Sequence, residues 1–511
     1  PLRRGPMFLD GRTPPGGAAL EADLAIVGAG AAGITLARAL AGRGLKIALI
    51  ESGGVEWSEE AADLGAGTLG EQHYGDLAYV RLRQFGGTTG HWGGWCRELD
   101  AIDFEPRDFV PLSGWPFAKT ELQPYYAAAQ PILQLGPARY DDFAAIAAEA
   151  KAEAPIAPGG DMEAVLFEFS PPTRMGEVYR AELEQSDVAV WLNTTVSDIR
   201  LSDDLTSVTG LVLSRDGAPP LTMAVRHVVA ACGGLSNPQL LLNADSQIAG
   251  GIGNAHDQVG RYFAEHPIVE TFAAILALSP ATGAPFVFRD TSIGGRRYRP
   301  TFRPSEAMRR AKGRLSTLIT INEPGPAFDP ASGRFDRWDE ARLGPQATGA
   351  AVAALSAAGP VRLHYLSAGF ETRPNPDSRV TLTADRDRFG DRRIKLDWRL
   401  TDADLDDYLA NLEDLGRAFA AAGTAVIRID PQAHARYRAD TSWGHHHMGT
   451  TRMGDDPRSS VCDGEGRVHG MANLWVAGSS LFTTPGAANP TLTVVALALR
   501  LADRLKKAFA P

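Results

Sequence analysis

The sequence predicts an α/β fold in two parts, and three stretches of chain support that reading. Residues 22–51 run strand, glycine loop, helix, strand. Residues 187–231 hold four short apolar runs with the length and β-branched content of strands. Residues 379–421 join two alternating strands to an amphipathic helix pattern.

Composition narrows the class first. Glycine supplies 54 of the 511 residues, well above the roughly 7% of an average protein, so much of the backbone lies in tight loops. A chain of this length normally splits into more than one core; length alone gives about three domains, and large α/β enzymes often use two. The net charge is −10 without any basic run, which argues against a nucleic-acid partner. No stretch reaches the ~18–20 apolar residues of a membrane span. The nearest, 343–361, is charge-free but contains Pro345 and Pro360 and reads as a buried helix. Cys96, Cys232 and Cys462 form no CxxC and no disulfide framework. That fits a reducing compartment, so the cytoplasm is expected, with the periplasm as the alternative. Residues 1–17 lack an apolar core and do not read as an intact signal peptide.

Taken in order, residues 22–27 are short, apolar and β-branched, as a buried strand requires. Gly28, Gly30 and Gly33 follow at once, then a helical pattern to Arg43 and a second strand at 45–50 that ends on Glu51. In such a unit the first glycine makes the tight turn and the second lets backbone approach a pyrophosphate. The third allows close helix–strand packing. The helix N-terminus offers free N–H groups to phosphates, and the acid after the second strand accepts from ribose hydroxyls. The unit predicts a dinucleotide site and fits NAD or FAD equally.

Residues 85–95 contain five glycines, at 86, 87, 90, 93 and 94. Such a run is a loop that needs positive φ or close contact with a planar ligand; His91 and Trp92 are its large side chains. Residues 115–126 read as helical, with Pro124 as a break or first-turn residue. Strands are expected at 188–191, 196–199, 210–213 and 227–231, and a helix starting at Pro238 with Asn237 as cap. Strands at 379–383 and 393–398 precede a helix over 401–421 capped by Thr401.

The C-terminal part is the densest in signal. Residues 442–454 read SWGHHHMGTTRMG, a short strand covers 473–478, and 484–493 read TPGAANPTLT before a helix that runs to about residue 509. Pro490 suits the first helical position and Asn489 the N-cap; Lys506 and Lys507 suit the last turns. Taken alone, Asn489 is a cap and His446 a loop histidine. His445, His446 and His447 invite a metal reading. In an extended segment 445 and 447 share a face and 446 points away, and no further ligand pattern accompanies them, so no metal is expected.

Six segments now stand in order: Gly28, Gly30, Gly33 and Glu51; GGTTGHW at 86–92; GGLSNPQLLL at 233–242; VGRYFAEHP at 259–267; PNPDSRVTL at 374–382; and His446 with Asn489 and Pro490. Together they resemble the glucose–methanol–choline (GMC) oxidoreductases over nearly the whole chain, least at 135–185 and 270–370. Within that family the chain is similar to the sugar-oxidising branches: pyranose oxidases, bacterial FAD-dependent sugar dehydrogenases and glycoside 3-oxidoreductases.

The resemblance implies FAD rather than NAD. Gly28, Gly30, Gly33 and Glu51 would hold its ADP half, with Val196 on the adenine side. Gly86, Gly87, Thr88, His91 and Trp92 would run along the flavin. Gly478, Pro490 and Thr491 would bring a helix N-terminus to the pyrimidine ring, where its positive end favours anionic reduced flavin. His446 would take the alcohol proton, and Asn489 would hold the same oxygen. His91 matches the position where pyranose oxidases attach FAD; other members hold it without a bond, so the resemblance implies a contact and leaves covalency open. Gly93 departs from pyranose oxidases, which carry a threonine there that supports the oxygen adduct. A dehydrogenase serving a quinone, a dye or a protein is therefore expected over an oxidase using oxygen. Some relatives need a small partner subunit or a haem subunit; no CxxCH occurs here.

The implied organisation is a discontinuous, Rossmann-like FAD-binding domain over 18–110, 187–268 and 452–511. A substrate domain built on an antiparallel sheet takes 111–186 and 269–451. The implied reaction is oxidation of a secondary hydroxyl of a sugar or glycoside. The alternatives are a primary alcohol, an aldehyde, a non-sugar alcohol, an NAD-dependent dehydrogenase sharing only the first motif, or a non-enzymatic flavin-binding subunit. Trp92, Trp95 and Trp443 are candidate stacking surfaces for pyranose rings, although core packing is the commoner use of tryptophan.

Overall fold

A computed structural model describes residues 8–13, 20–151, 160–278, 289–322, 328–329, 334–335 and 350–509. The α/β prediction holds, with two large sheets. The first runs in the order Phe8–Asp10, Val188–Leu192, Ile47–Ile50, Leu20–Val27, Ala218–Ala230, Val208–Arg215, Thr195–Leu201. The first five strands pair in parallel, and Leu474–Val476 joins Ala218–Ala230 in parallel too. The last two pair antiparallel. Leu24, Ile26, Leu49 and Val190 are fully buried, as central strands covered on both faces require. Helix Ala31–Leu40 packs on helix Thr491–Ala508, the chain's last, with Leu36, Leu40, Leu501 and Leu505 in one core.

The second sheet is antiparallel. Its order is Ala425–Ile429, Pro267–Leu278, Val361–Phe370, Thr317–Ile321, Arg296–Pro304, Met162–Phe169, Trp95–Cys96. Helix Asp402–Ala421 covers one face with Leu405, Tyr408, Leu412, Leu415 and Phe419, a three–four spacing that forms one stripe. Tyr408 stacks on Phe370 at 5.0 Å between ring centroids. Strand alternation then fixes the opposite face. Ile319, Ile321, Leu366 and Ala368 point into the core under the helix, while Leu318, Thr320, Ser367 and Gly369 line a cavity. A small third sheet joins the hairpin Arg379–Arg386 and Arg392–Asp397 to Gly67–Leu69.

Three local expectations are corrected. The helix expected to start at Pro238 begins five residues earlier and spans Gly233–Asn243. Pro238 removes the N–H that would bond the Gly234 carbonyl, and the Thr450 hydroxyl donates to that carbonyl instead, at 2.5 Å. Asn237 is therefore inside the helix; its Oδ1 accepts from the Cys232 N–H at 2.8 Å. Pro124 does not break its helix, which runs on from Lys119 to Ile132. Of the stretch 343–361, residues 343–349 lie outside the described residues. The remainder holds helix Ala350–Ala358, in which Leu355 is buried and Ala354, Ala357 and Ala358 are exposed, so it is a surface helix. Thr401 caps its helix as expected, accepting from the Asp404 N–H.

Candidate active site

One cavity of about 780 Å³ runs between the two sheets. Gly28, Gly30, Glu51, Gly87, Thr88, His91, Trp92, Val196, Gly478, Pro490, Thr491, His446 and Asn489 all line it. Elements separated by hundreds of residues thus meet at one surface. Two expected contacts do not reach it. Gly33 lies behind the wall, where a Cβ would fall 1.9 Å from the Gly28 carbonyl oxygen. Gly86 turns its N–H to the Ala29 carbonyl at 2.8 Å, and a Cβ there would stand 2.7 Å from the Gly176 nitrogen. Both shape the wall by close backbone approach rather than facing a ligand.

At one end, the N-terminus of helix Ala31–Leu40 opens on the cavity with no side-chain cap. Glu51 is buried and accepts from the Ala29 and Gly53 N–H groups at 2.9 and 3.0 Å. Burial raises its pKa, and these two N–H groups oppose the rise. Thr195 turns a buried hydroxyl with no protein partner into the same end. Arg83, Asp387 and Asp391 complete the wall. Burial first and then the charge of Asp387 push Asp391 up to about 7. At the middle, the uncapped N-terminus of helix Thr491–Ala508 presents Pro490 and Thr491.

At the other end stand the two residues expected to act. His446 Nε2 is 3.0 Å from Asn489 Nδ2. Asn489 is therefore no helix cap; that place falls to Pro490, and the amide turns to the histidine instead. The three adjacent histidines diverge because His445 adopts a left-handed φ of 59°. The His445 ring lies 5.8 Å from that of His91, and His447 is buried against Phe263 and Tyr74. The His446 ring faces His266, Nδ1 to Nδ1, at 2.9 Å. Burial, and then the neighbouring His266, His447 and His445, hold the His446 pKa well below the ordinary imidazole value.

The loop that carries His446 is pinned by Glu265, a fully buried carboxylate. It accepts from the backbone N–H groups of His266 at 2.9 Å, Gly444 at 3.3 Å and His446 at 2.9 Å, and from the Tyr74 hydroxyl at 2.5 Å. Burial raises Glu265 to about 7 against the pull of these donors. Sequence reasoning did not single out Glu265 or His266; the signal was there in the segment 259–267, which carries both. Phe167, Ile268, Leu318, Thr320, Ser367 and Gly369 wall this end, and they belong to no motif. Of the three tryptophans considered for stacking, Trp92 and Trp95 line the cavity. Trp92 spends its N–H on the Thr173 carbonyl, and Trp443 packs on Tyr74 at 5.0 Å, away from the cavity lining.

Comparisons with known proteins agree on the class. Residues 23–302 match the family described as FAD dependent oxidoreductase, and residues 374–498 match the domain described as GMC oxidoreductase. Paromamine 6'-oxidase of Streptomyces fradiae is 26% identical, over 94% of this chain and 90% of that one. Pyranose 2-oxidase of Tricholoma matsutake is 27% identical, over 55% of this chain and 46% of that one. Among solved structures, pyridoxine 4-oxidase of Mesorbium loti superposes with a TM-score of 0.59 at 18% identity, covering 95% of this chain and 99% of that one. Among the described residues, no helix is long and apolar enough to cross a membrane.

Proposed function

The chain belongs to the FAD dependent oxidoreductases and carries the GMC oxidoreductase C-terminal domain, and from that premise we propose that it oxidises a hydroxyl of a sugar or glycoside, a secondary one in the first instance. The family membership sets aside the NAD-dependent alternative. The cavity suits FAD in its own features: side-chain-free walls at Gly28, Gly30, Gly87 and Gly478, two uncapped helix N-termini, and the unpartnered Thr195 hydroxyl. In this reading Gly28, Gly30, Glu51 and Val196 hold the nucleotide half. Gly87, Thr88, His91, Trp92, Gly478, Pro490 and Thr491 border the flavin, and Gly33 and Gly86 set the wall behind.

The observation that carries the proposal is the His446–Asn489 pair, 3.0 Å apart, facing a wall of uncharged residues. When bound, the flavin supplies the hydride acceptor. A substrate hydroxyl set beside the pair, within reach of both side chains, donates its proton to His446 Nε2, while the Asn489 amide N–H holds the oxygen and so aims the carbon. A neutral imidazole is required, and the depressed His446 pKa provides it. Phe167, Ile268 and Leu318 exclude water from the far side. The relatives named above act, by their names, on a pyranose and on paromamine, which supports the sugar class. We propose further that the chain divides into the discontinuous cofactor and substrate domains expected from sequence. Gly93 favours an acceptor other than oxygen. The three cysteines are free thiols, in keeping with a cytoplasmic site.

A panel of sugars, glycosides and simple alcohols, assayed anaerobically for bleaching of the bound flavin and then with a dye and with oxygen, tests the proposal. Bleaching by sugars or glycosides, and faster turnover with dye than with oxygen, are the expected results. Bleaching by simple alcohols alone would overturn the substrate class. A smaller effect is expected at Gly33. In Gly33→Ala the new Cβ falls 1.9 Å from the Gly28 carbonyl oxygen, an overpacking worth about 1–3 kcal/mol. The helix must move off the strand, and the purified variant is expected to carry less flavin per chain by absorbance than the parent protein.

A further inference from the structure

The hydrogen-bond chain behind His446 has a direction that its chemistry dictates. His266 Nε2 lies 3.0 Å from the Gly486 carbonyl oxygen. A carbonyl only accepts, so that nitrogen carries a hydrogen. His266 is fully buried, and burial lowers its pKa to about 4. It is therefore neutral near pH 7, and its other nitrogen, Nδ1, is bare. That bare Nδ1 faces His446 Nδ1 at 2.9 Å. Two ring nitrogens at this distance need one hydrogen between them, and His266 has none to give there. His446 must donate it. With its hydrogen at Nδ1, a neutral His446 presents a bare Nε2, which accepts from the Asn489 amide at 3.0 Å.

We propose that His266 is a positioning residue that fixes the tautomer of His446, holding its proton at Nδ1 so that Nε2 is the free acceptor for the substrate hydroxyl. The proposal rests on the reading of His446 as the base. It also explains a coupling in the fold. His266 stands at the entry to strand Pro267–Leu278 and bridges two loops: the 444–447 loop through the His446 ring, and the 484–490 loop, which bears Asn489, through the Gly486 carbonyl. Glu265, its chain neighbour, fixes the His446 backbone through that N–H. Two consecutive residues thus set the position and the protonation pattern of one ring. When His446 accepts the substrate proton at Nε2, its Nδ1 hydrogen stays on its own ring, still donated to His266 Nδ1, so no second proton has to move.

Histidine labelled with nitrogen-15 in the holoenzyme reads the tautomer directly, with the His446 signals identified by their loss in His446→Asn. The wild-type protein is expected to show a protonated Nδ1 and a bare Nε2. In His266→Leu the acceptor is gone. His446 is expected to redistribute toward the Nε2–H form, and the rate of anaerobic flavin reduction to fall by about tenfold or more with KM little changed. His266→Asn sets an amide oxygen close to the position of Nδ1 and is expected to restore the Nδ1–H signature and most of the rate. A wild-type His446 protonated at Nε2 would overturn the proposal without any variant. So would a His266→Leu protein that keeps both the Nδ1–H signature and the rate, or an Asn variant that recovers neither. If His446→Ala still reduced flavin at the wild-type rate, the base reading would fall, while the tautomer spectra would still judge the role of His266.

Discussion

His446→Ala is expected to retain its flavin and to lose roughly 10²- to 10⁴-fold in the rate at which substrate reduces it. The reason lies in the surroundings of the ring. Only 15% of the His446 side chain is exposed, and its Nε2 is matched to the Asn489 amide at 3.0 Å. An alanine leaves a gap in which water replaces a placed acceptor, so the hydroxyl proton has no base at the moment the carbon gives up its hydride. The pH dependence follows from sign. Burial first, and then His266, His447 and His445, lower the His446 pKa well below its ordinary value. The competent form is the neutral one, so wild-type flavin reduction is expected to stay level as pH falls through the ordinary imidazole range and to decline only in more acid solution. Anaerobic stopped-flow absorbance at a series of pH values measures both effects. A His446→Ala rate equal to wild type would remove the residue from the mechanism. A wild-type profile that breaks near pH 6.5 would show an imidazole less buried than this one.

The end of the cavity lined by Gly28, Gly30 and Glu51 was legible in the sequence because much of its physics is local. Gly28, Gly30, Gly33 and Glu51 sit within one strand–loop–helix–strand unit; Gly33 packs on the Gly28 carbonyl and Glu51 accepts from Ala29 and Gly53, although Gly28 also lies against the distant Ala231 backbone. Asn489 shows where that legibility stops. Next to Pro490 at a helix start it reads as a cap, yet its amide serves His446, which lies 43 residues away in sequence. The helix at Gly233–Asn243 was misplaced for a similar reason. Pro238 counts as a starting residue by local rules, and the Thr450 hydroxyl, 216 residues beyond Gly234, makes an interior proline tolerable by taking the orphaned Gly234 carbonyl. Glu265 and His266 look like any buried pair until the histidine loop folds over them. Leu318, Thr320, Ser367 and Gly369 were hidden differently. The alternation that points them to the cavity was readable in principle, but what faces them is set by the docking of the two sheets.

The buried charges beside the loop that bears Asn489 yield the second large effect, on stability. Glu371 receives two hydrogen bonds from Arg107, at 2.8 and 2.5 Å, and one from the Ser316 N–H at 2.9 Å. Arg309 lies 3.6 Å from the same carboxylate and donates to Asp103 at 2.6 Å. All four charged side chains are at most 1% exposed. Asp103 in turn supports the 484–490 loop, since its carbonyl accepts from the Thr484 hydroxyl at 3.3 Å. Glu371→Ala would leave Arg107 buried with no carboxylate, a loss of about 3–5 kcal/mol, so the thermal midpoint is expected to drop and the loop bearing Asn489 to loosen. The pH signature separates this from simple cavity formation. Burial by itself would raise the Glu371 pKa, but the charge and hydrogen bonds of Arg107, with Arg309 behind them, outweigh burial and hold it well below the usual carboxylate range. A depressed folded pKa means the stabilisation is complete above the unfolded value of about 4.3 and is lost as pH falls through the folded one. The gap in thermal midpoint between wild type and Glu371→Ala is therefore expected to be widest near neutral pH and to close below about pH 4. Equal midpoints at pH 7, or a gap that does not change with acid, would show that Arg107 finds another partner and that the ion pair is not what holds the loops together.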